Sequence, residues 1–164
     1  MRDEEFERLY EDHAAGLLAF LMYRTGDRTL AEDVVADTFE RVLLARRRFD
    51  PRRGSRKTWV YSIALNRLRD LQRSRQSEQR ALTRIEPQAS GGAGDFEAIE
   101  HQDELTAALA QLSPEEREAI ALRYGGDLTV PEIARLQGER LSTVEGRVYR
   151  GLRKLRELLD RPGS

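Results

Sequence analysis

From Glu132 to Leu159 the chain runs a short apolar-periodic segment, a glycine and a longer periodic segment, and few folds accept that order. Glu132-Ile-Ala-Arg-Leu-Gln137 places Ile133, Ala134 and Leu136 on one side of a short helix. Gly138 stands where a tight turn needs a positive φ. Val144, Val148, Leu152, Leu155 and Leu159 then recur at helical steps, which is the buried stripe of a second helix. Ser142-Thr-Val-Glu145 reads as a capping box that opens it. The pattern from Thr129 to Arg156 is that of a helix-turn-helix.

Opposite the stripe lie Gly146, Tyr149, Arg150 and Arg153, with Arg147 and Lys154 flanking. A small residue there, with Ser142 and Thr143 in the first turn, lets a helix enter a major groove with arginines on phosphates or guanines. A two-helix hairpin with a solvated basic face has the same pattern. Glu145 suits either a helix cap or a cytosine amino group.

Charge limits how such a helix works. The chain carries 28 basic and 29 acidic side chains, for a net charge of −1. Residues 1–73 sum to +2, residues 74–104 to −4 and residues 105–164 to +1. Phosphate neutralisation supplies most non-specific affinity, so a chain this neutral needs a partner to hold DNA. The chain has no cysteine, which excludes disulfides and thiolate chemistry, and His13 and His101 have no metal-ligand spacing. The start is acidic, with no leader pattern, and the apolar stretch from Ala14 to Tyr23 is too short to span a bilayer. A cytoplasmic protein is expected.

The composition predicts an all-α chain of two small helical domains joined by a flexible linker. The first domain, residues 1–73, carries helical spacing at Phe6, Leu9, Tyr10, His13, Leu17, Leu18 and Leu21. Thr29-Leu-Ala-Glu32 reads as a capping box for a second helix reaching about Arg46. A Pro- and Gly-punctuated loop, Phe49 to Ser55, precedes a third helix capped by Ser55 and running to about Arg73. Residues 74–100 lose periodicity around Pro87 and the following Ala-Ser-Gly-Gly-Ala-Gly, and read as an acidic linker. The second domain, residues 101–160, opens its main helices with Ser113-Pro-Glu-Glu116 and the helix-turn-helix.

The first domain has a basic face. Arg46, Arg47, Arg48, Arg52, Arg53, Arg56 and Lys57 crowd one loop, followed by Trp59, Tyr61 and Asn66. Arginines beside aromatics and an amide provide phosphate contacts, a stacking platform and a base-edge reader for single-stranded DNA. Trp59 is equally read as a core anchor of the helix it begins.

The order of motifs is specific. Leu112-Ser-Pro-Glu-Glu-Arg-Glu-Ala-Ile-Ala-Leu-Arg-Tyr124, Glu132-Ile-Ala and Thr143-Val-Glu-Gly-Arg-Val-Tyr-Arg-Gly-Leu-Arg-Lys-Leu155 resemble region 4 of a bacterial sigma factor. Asp27-Arg-Thr-Leu-Ala-Glu-Asp-Val-Val-Ala-Asp-Thr-Phe-Glu-Arg-Val42 resembles region 2.2. Thr58-Trp-Val-Tyr-Ser-Ile-Ala-Leu-Asn-Arg-Leu-Arg-Asp70 resembles regions 2.3 and 2.4. The likeness is to the extracytoplasmic-function (ECF) group of the sigma-70 family, and it departs from the usual pattern at Gln137, Glu139 and Glu145.

That resemblance implies a transcription initiation factor rather than an enzyme, with no cofactor and no metal. Ser142, Thr143, Gly146, Arg147, Tyr149, Arg150 and Arg153 are then expected on the −35 promoter element. Arg52, Arg53, Ser55, Arg56, Lys57, Trp59, Tyr61, Asn66 and Arg69 are expected on the −10 element as it melts. Asp33, Asp37 and Glu40, bordered by Phe39 and Leu44, form an acidic face expected to dock on the polymerase clamp, with the second domain on the flap. Promoter DNA, both double- and single-stranded, core RNA polymerase and an anti-sigma factor are the implied partners. The acids Glu86, Asp95, Glu97 and Glu100 suit either a polyanion mimic in the polymerase channel or a solvated spacer. The competing reading is a stand-alone helix-turn-helix regulator that does not open DNA.

Overall fold

The computed structural model describes residues 1–82 and 100–160. Three helices, α1 (Asp3–Thr25), α2 (Arg28–Leu44) and α3 (Arg56–Leu82), make the first bundle. Four more, α4 (Glu100–Ala110), α5 (Pro114–Ile120), α6 (Val130–Gln137) and α7 (Leu141–Leu159), make the second. Between α5 and α6 the chain widens into a π-helical turn, Ala121–Gly125. Of the linker acids, Glu86, Asp95 and Glu97 lie outside the described residues, and Glu100 is the first residue of α4.

Local chemistry explains most boundaries. Helix α1 ends at Gly26, whose φ of 68° and N–H bond to the Met22 carbonyl at 2.8 Å form a left-handed cap. The expected capping box at Thr29 does not form. Asp27 caps α2 instead by accepting from the Leu30 N–H at 3.0 Å, and Glu32 pairs with Arg28. Ser55 caps α3 as predicted, accepting from the Thr58 N–H at 3.1 Å. Ser113 and Glu116 form the expected reciprocal box on α5, and Thr129 with Glu132 forms another on α6. Gly138 closes α6 at a φ of 66°.

Two further expectations fail. Helix α3 continues past Arg73 to Leu82, so residues 74–82, assigned to the linker, are helical and exposed. Helix α7 starts at Leu141 after an extended Arg140, so Ser142 is not its N-cap and the box with Glu145 is absent. Ser142 instead stands exposed on the first turn and Glu145 at the start of the second.

The first core is built from Leu17, Phe20 and Leu21 of α1, Val34 and Val42 of α2, and Val60, Ala64 and Leu68 of α3. Thr38 is fully buried but satisfied, donating to the Val34 carbonyl at 2.6 Å. In the second core Leu109, Ile120, Leu122, Leu128, Ile133 and Val144 are buried together. Helix α7 sits against α5 at Gly151, where a β-carbon would lie 2.6 Å from Ile120 Cγ1. The two cores join into one apolar cluster, because the π-helical turn packs on α1. Among the described residues no helix is long and apolar enough to cross a membrane.

Candidate nucleic-acid interface

Helix α7 has an exposed face and a buried one. Ser142, Tyr149, Arg150 and Arg153 are exposed, Thr143 and Gly146 are partly so, and Val144, Val148 and Leu155 turn inward. Leu159, assigned to the inward stripe, is 44% exposed at the helix end. The basic side chains differ in freedom. Arg147 is drawn back onto Glu139 across the turn at 3.5 Å, with only 18% of its side chain exposed. Arg153 is loosely paired with Glu157 at 3.8 Å, and its side chain is 67% exposed.

Glu116 organises the rest, a role that the sequence pattern did not reveal beyond its capping position. Its side chain is only 7% exposed; it accepts from Lys154 Nζ at 2.7 Å and lies 3.5 Å from Arg150 Nε. It also accepts from the Ser113 N–H at 3.1 Å. Burial alone raises a carboxyl pKa, but the Lys154 and Ser113 hydrogen bonds outweigh it and hold Glu116 below the usual glutamate value. One carboxylate therefore caps α5 and fixes the middle of α7.

In the first domain the loop between α2 and α3 is two short 3-10 turns, residues 46–48 and 51–53. Asp50 caps the second by accepting from the Arg52 N–H at 3.0 Å. Arg47, Arg48, Arg52 and Arg53 project to solvent, Ser55 and Arg56 are exposed at the start of α3, and Asn66 and Arg69 are exposed farther along it. Arg56 lies over the Phe49 ring at 5.8 Å and pairs with Glu5 at 3.4 Å. Trp59 is half-buried, its ring 5.3 Å from Phe49, so it both anchors the loop and keeps an accessible edge.

Tyr61 does not join this face. It is 1% exposed, its ring 5.6 Å from Phe20 and its hydroxyl 3.5 Å from the Gly126 carbonyl. Burial and the nearby Asp127 charge push its pKa far above the usual phenol value. Lys57 is turned the same way, donating to the Asp127 carbonyl at 3.0 Å.

The acidic face of α2 is narrower than predicted. Asp33, Glu40 and Leu44 are exposed, Leu44 at 81%. Asp37 is tied to Arg67 of α3 at 2.8 Å. Phe39 is buried, covered by Tyr10 at a ring distance of 4.9 Å and Phe6 at 6.4 Å, so it is a core residue rather than an outer contact.

The geometry is that of a two-domain DNA reader, and comparison with known proteins defines the class. Residues 9–78 match the family model for Sigma-70 region 2, and residues 102–155 match that for Sigma-70, region 4. RNA polymerase sigma factor CarQ of Myxococcus xanthus is 34% identical, over 95% of this chain and 90% of its own length. ECF RNA polymerase sigma factor RpoE of Cereibacter sphaeroides is 32% identical, over 95% and 87%. Among solved structures, the sigma factor RpoE in complex with the anti-sigma factor NepR from Bartonella quintana superposes with a TM-score of 0.78 at 26% identity. That match covers 96% of this chain and 99% of that one. CnrH in complex with the cytosolic domain of CnrY gives a TM-score of 0.70 at 29% identity, over 97% and 90%. The chain belongs to the extracytoplasmic-function group of the sigma-70 family of RNA polymerase sigma factors.

Proposed function

We propose that this sigma factor divides promoter work between its two domains. Helix α7 reads the −35 element, with Ser142, Thr143 and Gly146 close to base edges and Tyr149, Arg150 and Arg153 on the backbone. The α2–α3 loop and the start of α3 hold the −10 element as it opens. Arg52, Arg53 and Arg56 take phosphates, Ser55, Asn66 and Arg69 offer polar edges, and Trp59 offers a stacking face. Asp33, Glu40 and Leu44 meet the polymerase clamp, and the second domain meets the flap.

The observation that carries this reading is the start of α7. Its backbone start at Arg140 leaves Ser142 and Glu145 uncommitted to capping, so they are available to bases. Melting costs a few kcal/mol per unstacked base, and stacking on an aromatic returns about 1–3 kcal/mol, so loop and tryptophan suffice to trap an opened base. The factor acts in the bacterial cytoplasm and brings no catalytic group, since nucleotide chemistry resides in the polymerase. An anti-sigma factor is its proposed regulator, supported by the relatives whose structures are complexes with one.

The test is strand opening by permanganate reactivity on a promoter selected from transcripts made in vitro with purified core polymerase. Reactive thymines near −10 are expected only with both chain and core present. Tight duplex binding without polymerase, and no reactivity with it, would sink the reading in favour of a stand-alone regulator.

A further inference from the structure

An arginine on the outer face of a helix ordinarily swings freely, and ordering it on a ligand costs binding energy. Arg150 is built differently. Its side chain leans back toward the start of α7, as helical side chains do, and lies over residue 146 one turn earlier. That residue is glycine, and a β-carbon on it would lie 2.9 Å from Arg150 Nη1 and 3.6 Å from its Cζ. The guanidinium therefore occupies the space that any larger residue at 146 would take. From the other side Glu116 Oε2 lies 3.5 Å from Arg150 Nε. The second carboxylate oxygen accepts from Lys154 Nζ at 2.7 Å and from the Ser113 N–H at 3.1 Å, so Glu116 is itself fixed in place. Helix α5 comes this close because residue 151 is also glycine, where a β-carbon would lie 2.6 Å from Ile120 Cγ1 and 3.7 Å from the Glu116 carbonyl oxygen. Held in this way, Arg150 still keeps 55% of its side chain exposed, whereas Glu116 keeps 7%.

We propose that Glu116 and Gly146 are positioning residues for −35 recognition, which preset the Arg150 guanidinium at one place on α7 before DNA arrives. The inference rests on the promoter reading above and deepens it. Gly146 acts through Arg150, whose guanidinium fills the gap over the glycine. Contacts to phosphates carry no sequence information directly, but they fix the register in which a helix presents its other side chains to base edges. A preset guanidinium fits one register of α7 in the groove, whereas a free one of the same charge follows phosphates in any register. Presetting therefore adds to discrimination, while charge alone adds to affinity for DNA of every sequence.

The readout is a ratio: holoenzyme affinity for a promoter with its −35 element intact, over that for the same promoter with the element scrambled. Any change in charge that acts on both DNAs alike cancels in it. Gly146→Ala is expected to lower the ratio about fivefold, the cost of ordering one freed arginine. Alanine is the better helix former, so the melting transition of this variant does not fall. Glu116→Gln, which keeps the capping box, lowers the ratio by a similar factor while tightening binding to the scrambled promoter, because it removes a negative charge beside Lys154 and Arg150. Arg150→Ala lowers the ratio as well. The deciding measurements add Gly146→Ala or Glu116→Gln to Arg150→Ala, where neither lowers the ratio further, since the side chain that both position is gone. A loss that persists in the Arg150→Ala background overturns the proposal: Gly146 then makes room for DNA directly, or Glu116 acts by bracing α7 as a whole. Single variants with the wild-type ratio overturn it too. A wild type that does not discriminate between the two promoters marks the separate failure of the −35 reading, and the inference falls with it.

Discussion

The two surfaces proposed to face DNA are made in different ways. The α7 face is set on a rigid seat, with Gly151 pressed on Ile120 and Glu116 holding Lys154 and Arg150 from beneath. The residues proposed to read DNA, Ser142, Tyr149, Arg150 and Arg153 among them, stand exposed. The first-domain face is a loop of short turns, anchored by Phe49 and Trp59, with Arg52 and Arg53 projecting freely. A major groove is a fixed shape that rewards a preformed helix, whereas a melted strand has no fixed shape and rewards reach and charge. The difference in build matches the difference in target.

The comparison breaks most severely at the seat. Gly151→Leu forces a side chain into the space that Ile120 occupies, and overpacking of this kind costs about 3 kcal/mol. Loss of −35-dependent protection is expected, with a lowered melting transition for the second domain in differential scanning calorimetry. Unchanged melting would show that the seat is soft and the contrast with the loop unfounded.

Glu116→Gln tests the same seat with a smaller change. Glutamine still serves a capping box, so the variant isolates the attraction to Lys154 and Arg150. A charge-assisted bond to a half-exposed lysine is worth about 1–2 kcal/mol, discounted for screening. Because the folded-state pKa of Glu116 lies below its unfolded value, its contribution is full above the ordinary glutamate range and is lost as pH falls through the folded pKa. Urea melts should therefore show the gap between wild type and variant shrinking on acidification. A gap constant with pH would assign the effect to packing rather than charge.

Much of this architecture was legible in sequence because its signals are local. Ser113-Pro-Glu-Glu116 needs only its own backbone to cap α5, and Gly138 needs only its own φ to end α6. Residues 74–82 were missed as helix because they have no apolar stripe. They stay helical, exposed throughout, on the propensity of arginine, glutamine, glutamate, alanine and leucine, with Arg75 paired to Asp27 at 3.3 Å. Asp27 displaced Thr29 as a cap because both fit the local rule and only one backbone start is realised. Tyr61 shares helical spacing with the buried Ala64, Leu65 and Leu68, so its burial was readable, but its polar tip favoured an outward reading. Phe39 needed Phe6 and Tyr10 from another helix, and the contact between the two domains needed residues ninety-four positions apart, such as Arg24 and Glu118, to meet. No local rule supplies such pairings.

A third change sharpens the contrast at the turn between α6 and α7. Gly138→Ala meets no atom within 4 Å, so the whole effect is the left-handed φ of 66°. A loss of about 1 kcal/mol is expected from chemical denaturation, with the −35 footprint intact. A footprint lost at unchanged stability would mean that the turn aims α7, and that the helix is less preformed than its seat suggests.

The smallest effect on stability belongs to the loop, and that smallness is the point. Among the described residues Arg52 pairs only with its neighbour Asp50, at 3.4 Å with 92% of its side chain exposed, and Arg53 projects to solvent beside it. Replacing both with glutamine should leave the urea midpoint where it is, since exposed pairs of this kind contribute close to nothing. Binding of the holoenzyme to an already melted −10 strand should nevertheless weaken. Its dependence on salt should flatten, with the log–log slope falling by about 1.4 if each arginine neutralises one phosphate of a single strand. Unaltered salt dependence would place the strand elsewhere on α3, along Asn66 and Arg69. A fall in stability as large as that of Glu116→Gln would mean that the loop is as braced as the seat of α7. In that case shape rather than charge would be what the first domain offers to open DNA.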